Sequence, residues 1–167
     1  MSSSQPLEEL LHDWYNRVRE SQFGHYGAAK YYGGLHYYLG IPVVVLSGIV
    51  GTSVFASIGR TTDRILTIII GMVSVLVAVL GSLQTFLRFS ERAEKHRIAA
   101  ARYGAVRREI EQLRGLNFDA NENIREFVDK LRARMDGLAE ESPDIPLRVW
   151  RNNEAHRFRS GLQHKRD

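Results

Sequence analysis

The sequence predicts an all-α membrane protein in which a two-helix transmembrane hairpin extends into a cytoplasmic helical bundle. Residues 31–59 and 65–87 contain no charged side chain, although 25% of the 167 residues are charged. The segments on either side are charged and repeat their apolar residues at helical spacing, which is typical of helices that pack in water. The length fits one domain, and the lack of cysteine excludes disulfide scaffolds and cysteine-ligated metal sites.

The first element is a helix predicted over residues 6–38. Pro6, Glu8 and Glu9 are typical of a helix start. We expect one long helix that leads to the membrane, with a kink near Gly33 and Gly34. Its apolar face consists of Leu7, Leu10, Leu11, Trp14 and Val18.

The two charge-free segments are long enough to cross a bilayer, and we predict spans over residues 39–59 and 65–87. Twenty helical residues rise about 30 Å, which is the thickness of the hydrocarbon core. Two buried helices of a soluble protein are the alternative, but a chain this small has little else with which to cover them. Pro42 falls in the first turn of the first span, where its missing N–H would break no helical bond.

The distribution of basic residues predicts a multi-pass protein of the inner (plasma) membrane with both termini in the cytoplasm. The loop between the spans holds two basic residues, Arg60 and Arg64. The residues that flank the other ends of the spans are far richer in positive charge, which marks the cytoplasmic side. These flanking basic residues are Arg19, Lys30, Arg88, Arg92, Lys95, Arg97, Arg102 and Arg107.

Beyond the second span, helices are predicted over residues 88–115 and 120–140. The first is expected to continue the span without a break, so that a rotation of the bundle would turn the span directly. Asp119 with Glu122 three residues later is typical of a helix start. Residues 141–167 form a basic tail that we expect to be partly disordered. The apolar faces consist of Phe89, Ala93, His96, Ala100, Tyr103, Ile110 and Leu113, and then of Ile124, Phe127, Val128, Leu131, Met135 and Leu138.

Small residues follow one face of the second span and form what we call the small-residue stripe. In lipid, helices associate through close backbone approach at such residues. The stripe either packs the two spans against each other or packs several hairpins into an oligomer whose interior it lines. Gln84 lies on the same side as a pore-lining residue or an interhelical hydrogen-bonding group. The stripe consists of Thr67, Gly71, Ser74, Ala78, Gly81 and Thr85, and the matching residues of the first span are Gly48, Gly51, Thr52 and Ala56.

Charged residues lie only at the ends of the spans. Because neither span contains an ionisable side chain, a proton relay, a voltage sensor and an ion-coupled transporter are not favoured. A pore would have Arg88 and Arg92 at its inner mouth and Arg60 and Arg64 at its outer mouth, and these rings would favour anions.

Catalytic, cofactor and metal motifs are absent from the sequence, so we expect no enzyme activity, no cofactor and no nucleic-acid partner. His25 and His96 fall on the inner faces of the helices that flank the spans. They are expected to meet across the bundle, either as ordinary packing residues or as a pH sensor.

These residues resemble the SLATT family, the two-transmembrane effector domains associated with SMODS nucleotidyltransferases and SLOG sensor domains. The resemblance spans residues 7–140. It rests on the order of short motifs around the spans: Trp14, Arg17, Gln22, His25 and Tyr26; residues 39–42; Gly51, Thr52, Phe55 and Ala56; residues 82–87; residues 91–96; and Ala99, Tyr103 and Glu109.

The resemblance implies a membrane effector that forms a homo-oligomeric pore in the lipid bilayer and permeabilises the membrane in a prokaryotic anti-phage conflict system. It implies a trigger supplied in trans, by a sensor or nucleotidyltransferase partner or by a cyclic nucleotide. The alternative is a non-conducting scaffold whose spans anchor a cytoplasmic coiled coil that recruits partner proteins.

Overall fold

The chain forms four helices in a computed structural model that describes residues 4–59, 63–115 and 123–151. They are α1 (Ser4–Ser57), α2 (Arg64–Leu87), α3 (Phe89–Gly115) and α4 (Asn123–Glu141). The described residues contain no strand, which confirms the all-α prediction. The chain divides into two compact units. We call Met1–Tyr31 with Ala93–Asp167 the helical unit, and Tyr32–Arg92 the apolar hairpin.

Two helical stretches, Pro6–Ser57 and Arg64–Gly115, are long and apolar enough by length and composition to cross a membrane. Their most apolar windows bury no residue inside the protein. Helix α2 contains no buried residue, so the structure also disfavours the alternative in which the two helices are buried in a soluble protein. The apolar side chains of the hairpin are therefore exposed to the surrounding medium, as expected of helices in a bilayer.

Helix α1 is 54 residues long and passes through Gly33 and Gly34 as helix. Because α1 begins at Ser4, Pro42 lies in its interior and not in a first turn, so the expectation that its missing N–H breaks no bond was wrong. A helical residue at this position would donate to the carbonyl of Tyr38, and a proline cannot. The Tyr38 carbonyl therefore lacks its helical donor at the start of the apolar segment.

The apolar hairpin consists of the last part of α1 packed antiparallel against α2. Gly40 of α1 lies against the Gln84 amide, and Val43 lies against Gly81. At the connection, Gly59 has a φ of 78°, a left-handed conformation that costs glycine little. Asp63 caps α2, since its side chain accepts a hydrogen bond from the Ile65 N–H at 3.3 Å.

Arg88 interrupts the path from α2 to α3, so the expectation of an unbroken helix was wrong. Its φ of 46° and ψ of 42° are left-handed, and α2 ends at Leu87 while α3 begins at Phe89. The Arg88 carbonyl accepts a bond from the Arg92 N–H at 3.1 Å and so starts the new helix. The sequence does not predict this break, because neither glycine nor proline is present at this point.

In the helical unit, α3 packs against α1 on one side and against α4 on another. The predicted face of α3 is confirmed from Ala93 to Leu113, while Ala99 and Val106, which the sequence did not predict, are buried as well. On α1, Leu11 and Val18 are buried as predicted, but Leu10 is 39% exposed. The main core cluster consists of Leu11, Val18, Tyr103, Val106, Ile110, Leu113, Leu131 and Leu138.

Helix α4 runs antiparallel to α3. Arg102 pairs with Glu141 at 2.5 Å near one end, and Glu109 pairs with Arg134 nearer the other. Leu131 and Leu138 are buried as predicted, but Phe127 is 40% exposed. The predicted cap at Asp119 and Glu122 lies outside the described residues.

The chain after α4 closes on α1. Ile145 lies against Gly24, where an added Cβ would meet its Cδ1 at 2.7 Å. Residues 147–151 are helical, and Val149 is buried. Part of the predicted tail therefore belongs to the packed helical unit, and residues 152–167 lie outside the described part of the chain.

Candidate membrane-embedded packing surface

The face of α2 that packs on α1 is only half-buried. Half-buried residues recur along α2 at helical spacing, which identifies the side turned to α1. They are Ile70, Val73, Ser74, Val77, Leu80, Gly81, Gln84 and Leu87. This face mixes bulky and small side chains, so the packing between the two helices does not depend on small residues alone.

The structure divides the small-residue stripe between this packed face and an open face. Two of its six residues, Ser74 and Gly81, are half-buried on the α1 side, as is the neighbouring Gln84. The other four residues of the stripe are exposed in the single chain and form what we call the open small face: Thr67, Gly71, Ala78 and Thr85. Their spacing of four, seven and seven residues keeps them on one side of the helix.

The small residues of the first span follow the same division. Gly51 is half-buried, and Gly48, Thr52 and Ala56 are exposed. An added Cβ at Gly48, Gly51 or Gly71 would meet no atom within 4 Å. Within one chain, packing therefore gives no reason for glycine at these three positions.

The hydroxyl groups of both helices are satisfied by their own backbone. Thr67 donates to the Asp63 carbonyl at 3.2 Å, and Ser74 donates to the Ile70 carbonyl at 2.8 Å. Thr85 donates to the Gly81 carbonyl at 3.1 Å, and Thr52 to the Gly48 carbonyl at 2.9 Å. Since each O–H already has an acceptor, these residues present a small, weakly polar surface that lipid tolerates.

Gln84 is the one amide on this surface, and it forms no hydrogen bond with another described residue. Its side chain lies close to Gly40, where an added Cβ would stand 3.0 Å from Nε2. Beside it runs an open groove of about 330 Å³, lined by His36, Tyr37, Gly40, Ile41, Val44, Val45 and Gln84. Gly40 thus makes room for the amide at the end of the apolar segment.

The charged residues predicted for the two mouths are exposed where the structure describes them. Arg64 is exposed at the start of α2. Arg88 pairs with Glu91 at 3.4 Å, and the Arg92 guanidinium lies over the Tyr32 ring at 5.9 Å. Arg60 lies outside the described residues.

Sequence reasoning missed Gly40 and Val43 as partners of Gln84 and Gly81. The antiparallel register of the hairpin is the signal that would identify these two residues. The two partners of each pair are equidistant from the loop, as in any antiparallel hairpin of straight helices. A small residue at position 40 then marks the place where the Gln84 side chain must fit.

Comparison with known proteins gives one family. A model described as SMODS and SLOG-associating 2TM effector domain family 4 matches residues 7–155. The matched range extends past residue 140 and takes in the described residues 142–151. No curated protein and no solved structure matches the chain.

Proposed function

The chain belongs to family 4 of the SMODS and SLOG-associating two-transmembrane effector domains, and we propose that this membrane protein oligomerises into a pore. The pore permeabilises the inner membrane in a prokaryotic anti-phage conflict system. Its trigger is a partner sensor, a nucleotidyltransferase or a cyclic nucleotide supplied in trans. Both termini lie in the cytoplasm, since the basic residues cluster on the terminal side of the two spans.

The open small face of α2 carries this proposal. Thr67, Gly71 and Ala78 are exposed although they are the residues best suited to close helix packing in lipid. Lipid tails gain nothing from small residues, whereas a second helix can approach closely at them. A neighbouring hairpin is the partner that uses this face.

Activation requires a ligand or partner that binds one arrangement of the chain better than another. Because Arg88 separates α2 from α3, a rotation of α3 is not passed rigidly to α2. We propose that activation instead aligns the open small faces of neighbouring chains, which then assemble.

The experiment is flux of a small anion and a small cation from liposomes that contain the full chain, compared with the Ala78→Leu variant. Ala78 is exposed, so leucine there leaves the α1–α2 contact intact and blocks approach of a second chain. We expect flux to fall at least tenfold while membrane insertion is unchanged. The matched control is Leu76→Phe, a larger residue at a position that is 50% exposed and two residues from Ala78, hence on the opposite side of the helix.

Gly81→Leu separates the two roles of the stripe. Gly81 faces Val43, so leucine there disturbs the hairpin itself. Loss of flux in Gly81→Leu with full flux in Ala78→Leu would assign the stripe to hairpin packing and contradict assembly through the open small face. Absence of flux from all forms, even with cyclic nucleotides added, would favour the scaffold that anchors a recruiting coiled coil.

Ion preference tests the charged mouths. Arg64, Arg88 and Arg92 are exposed at the ends of the helices, and rings of arginine favour anions. Reversal potentials in asymmetric chloride are expected to show anion selectivity, and Arg88→Gln with Arg92→Gln should reduce it. A cation-selective current would contradict this assignment of the mouths.

A further inference from the structure

Two histidines from different helices form a direct contact inside the helical unit. The Nδ1 atoms of His25 on α1 and His96 on α3 lie 2.9 Å apart. His25 is 3% exposed and His96 is 2% exposed, so water does not screen the contact. The ring of Tyr103 stacks on His25 with a centroid separation of 5.4 Å.

A contact of this kind needs one ring to donate an N–H and the other to accept it. An imidazole nitrogen does one or the other, and an imidazolium can only donate. One added proton can be accommodated on the far nitrogen of the donor ring, against the cost of burying a charge. A second added proton removes the acceptor and places two cations in contact. The neutral pair therefore joins α1 to α3, and the doubly protonated pair drives them apart.

Burial and the His96 ring are the two influences that act on the charge of His25. From α1, the polar neighbour is Gln22, one turn away and buried against Gly104. From α3, the facing groups are His96 and Tyr103. From residues 142–151, apolar Ile145 reaches this part of α1 at Gly24, and the adjacent Asp144 is exposed. The charged α3 neighbours Glu94 and Arg97 pair with each other in solvent at 3.3 Å.

We propose that the His25–His96 contact is a proton-sensitive latch that holds α1 on α3 at neutral pH and releases it in acid. The latch belongs to the helical unit and does not depend on whether the hairpin forms a pore. The two histidines of the contact are the switch, and the stacked Tyr103 fixes the ring that must turn away when the latch opens.

The titration of the pair sets the pH range. Burial, and then the neighbouring His96, lowers the pKa of His25 to about 4 from 6.5, and burial also lowers the pKa of His96. Between these values the unfolded or open chain binds more protons than the closed one, so closure is lost as the pH falls. The stabilising effect is complete above pH 6.5 and is lost by about pH 4. Each pH unit in this window should raise the opening constant roughly tenfold.

The test is the pH dependence of unfolding of the full chain in detergent micelles, followed by tryptophan fluorescence, since Trp14 packs against the core. The comparison is a double variant, His25→Phe with His96→Phe, in which the pair is aromatic and cannot titrate. We expect the wild type to lose on the order of a hundredfold in its folding constant between pH 6.5 and 4.5 relative to this variant. His12→Gln is the matched control, because His12 is an exposed histidine on the same helix.

A double variant with the same pH dependence as the wild type would overturn the latch, as would a His12→Gln variant that removes the dependence. If the double variant does not fold, NMR titration of the wild-type imidazoles decides. The latch requires the pKa of His25 to lie well below the ordinary histidine value of 6.5. Titration of His25 near pH 6.5 would contradict it.

Discussion

The buried glycines of the helical unit contrast with three glycines in the apolar hairpin. In the helical unit, Gly24 and Gly104 are filled positions, where an added Cβ would meet Ile145 or Gln22 at 2.7 Å. In the apolar hairpin, Gly48, Gly51 and Gly71 have open space around the missing side chain. The first two glycines therefore make room for a neighbouring side chain, whereas the other three leave a surface that no described residue of the chain covers.

The difference follows from the solvent each unit requires. In water, apolar burial drives helices together, and small residues let them approach closely once they meet. In lipid that drive is absent, so helices associate where small residues allow close contact. An open small surface in an apolar hairpin therefore allows close approach of another helix, as the proposed assembly requires.

Truncation of an apolar side chain should give the largest difference in the free energy of unfolding between the two units. Ile110 is 0% exposed in the core of the helical unit, and Leu76 is 50% exposed on α2. Ile110→Ala should lower the free energy of unfolding by about 2–5 kcal/mol, because it leaves a cavity. Leu76→Ala should change it by less than about 0.5 kcal/mol. Urea unfolding in micelles measures both, and equal losses would mean that the two units pack alike.

Replacement of a glycine by a larger residue should give the second-largest effect. Gly104→Leu should cost about 1–3 kcal/mol, because the space is already occupied by Gln22. Gly71→Leu meets no atom of its own chain, so its hairpin should stay folded while self-association fails. Unfolding reports the first, and cross-linking in liposomes reports the second. A Gly71→Leu hairpin that unfolds would show that the open face is needed within one chain.

Glycine at Arg88 tests the junction at the edge of the apolar hairpin. Arg88 holds a left-handed conformation, which disfavours residues with a Cβ by roughly 1–2 kcal/mol. Arg88→Gly should therefore stabilise the chain by about 0.5–1 kcal/mol. Arg92→Gly, at a helical position, should destabilise it by a similar amount. Destabilisation by both variants would indicate that the break at Arg88 is not present in the folded chain.

Surface ion pairs should give the smallest effect. Arg102 and Glu141 join α3 to α4, but their side chains are 54% and 67% exposed. Arg102→Gln should cost less than about 1 kcal/mol because solvent screens such pairs. Arg97→Gln, which breaks a pair within α3, is the control. A larger loss in Arg102→Gln would mean that charge, and not the apolar core, sets the α3–α4 contact.

Much of the fold follows from sequence periodicity. The first charge-free segment falls within α1 except for its last two residues, the second falls within α2, and the apolar face from Ala93 to Leu113 is buried. Ala99 and Val106 were not predicted because the buried surface of α3 is wider than the stripe traced by alternating steps of three and four residues. Arg88 escaped because a left-handed arginine has no local sequence signal.

Less of the candidate site could be predicted from the sequence. The spacing of Thr67, Gly71 and Ala78 identifies one side of a helix, but it does not give the position of α1 around that helix. Only the contacts of Gly40 with Gln84 and of Val43 with Gly81 fix that position. They divide the stripe into a packed part and an open part, which periodicity alone cannot do.

The break at Arg88 has a mechanical consequence. A continuous α-helix transmits torque as a stiff shaft, because each turn is bonded to the next. At Arg88 the backbone leaves that pattern, so torque is not carried rigidly across this residue. Helix α1 has no left-handed residue from Ser4 to Ser57, although Pro42 removes one of its hydrogen bonds.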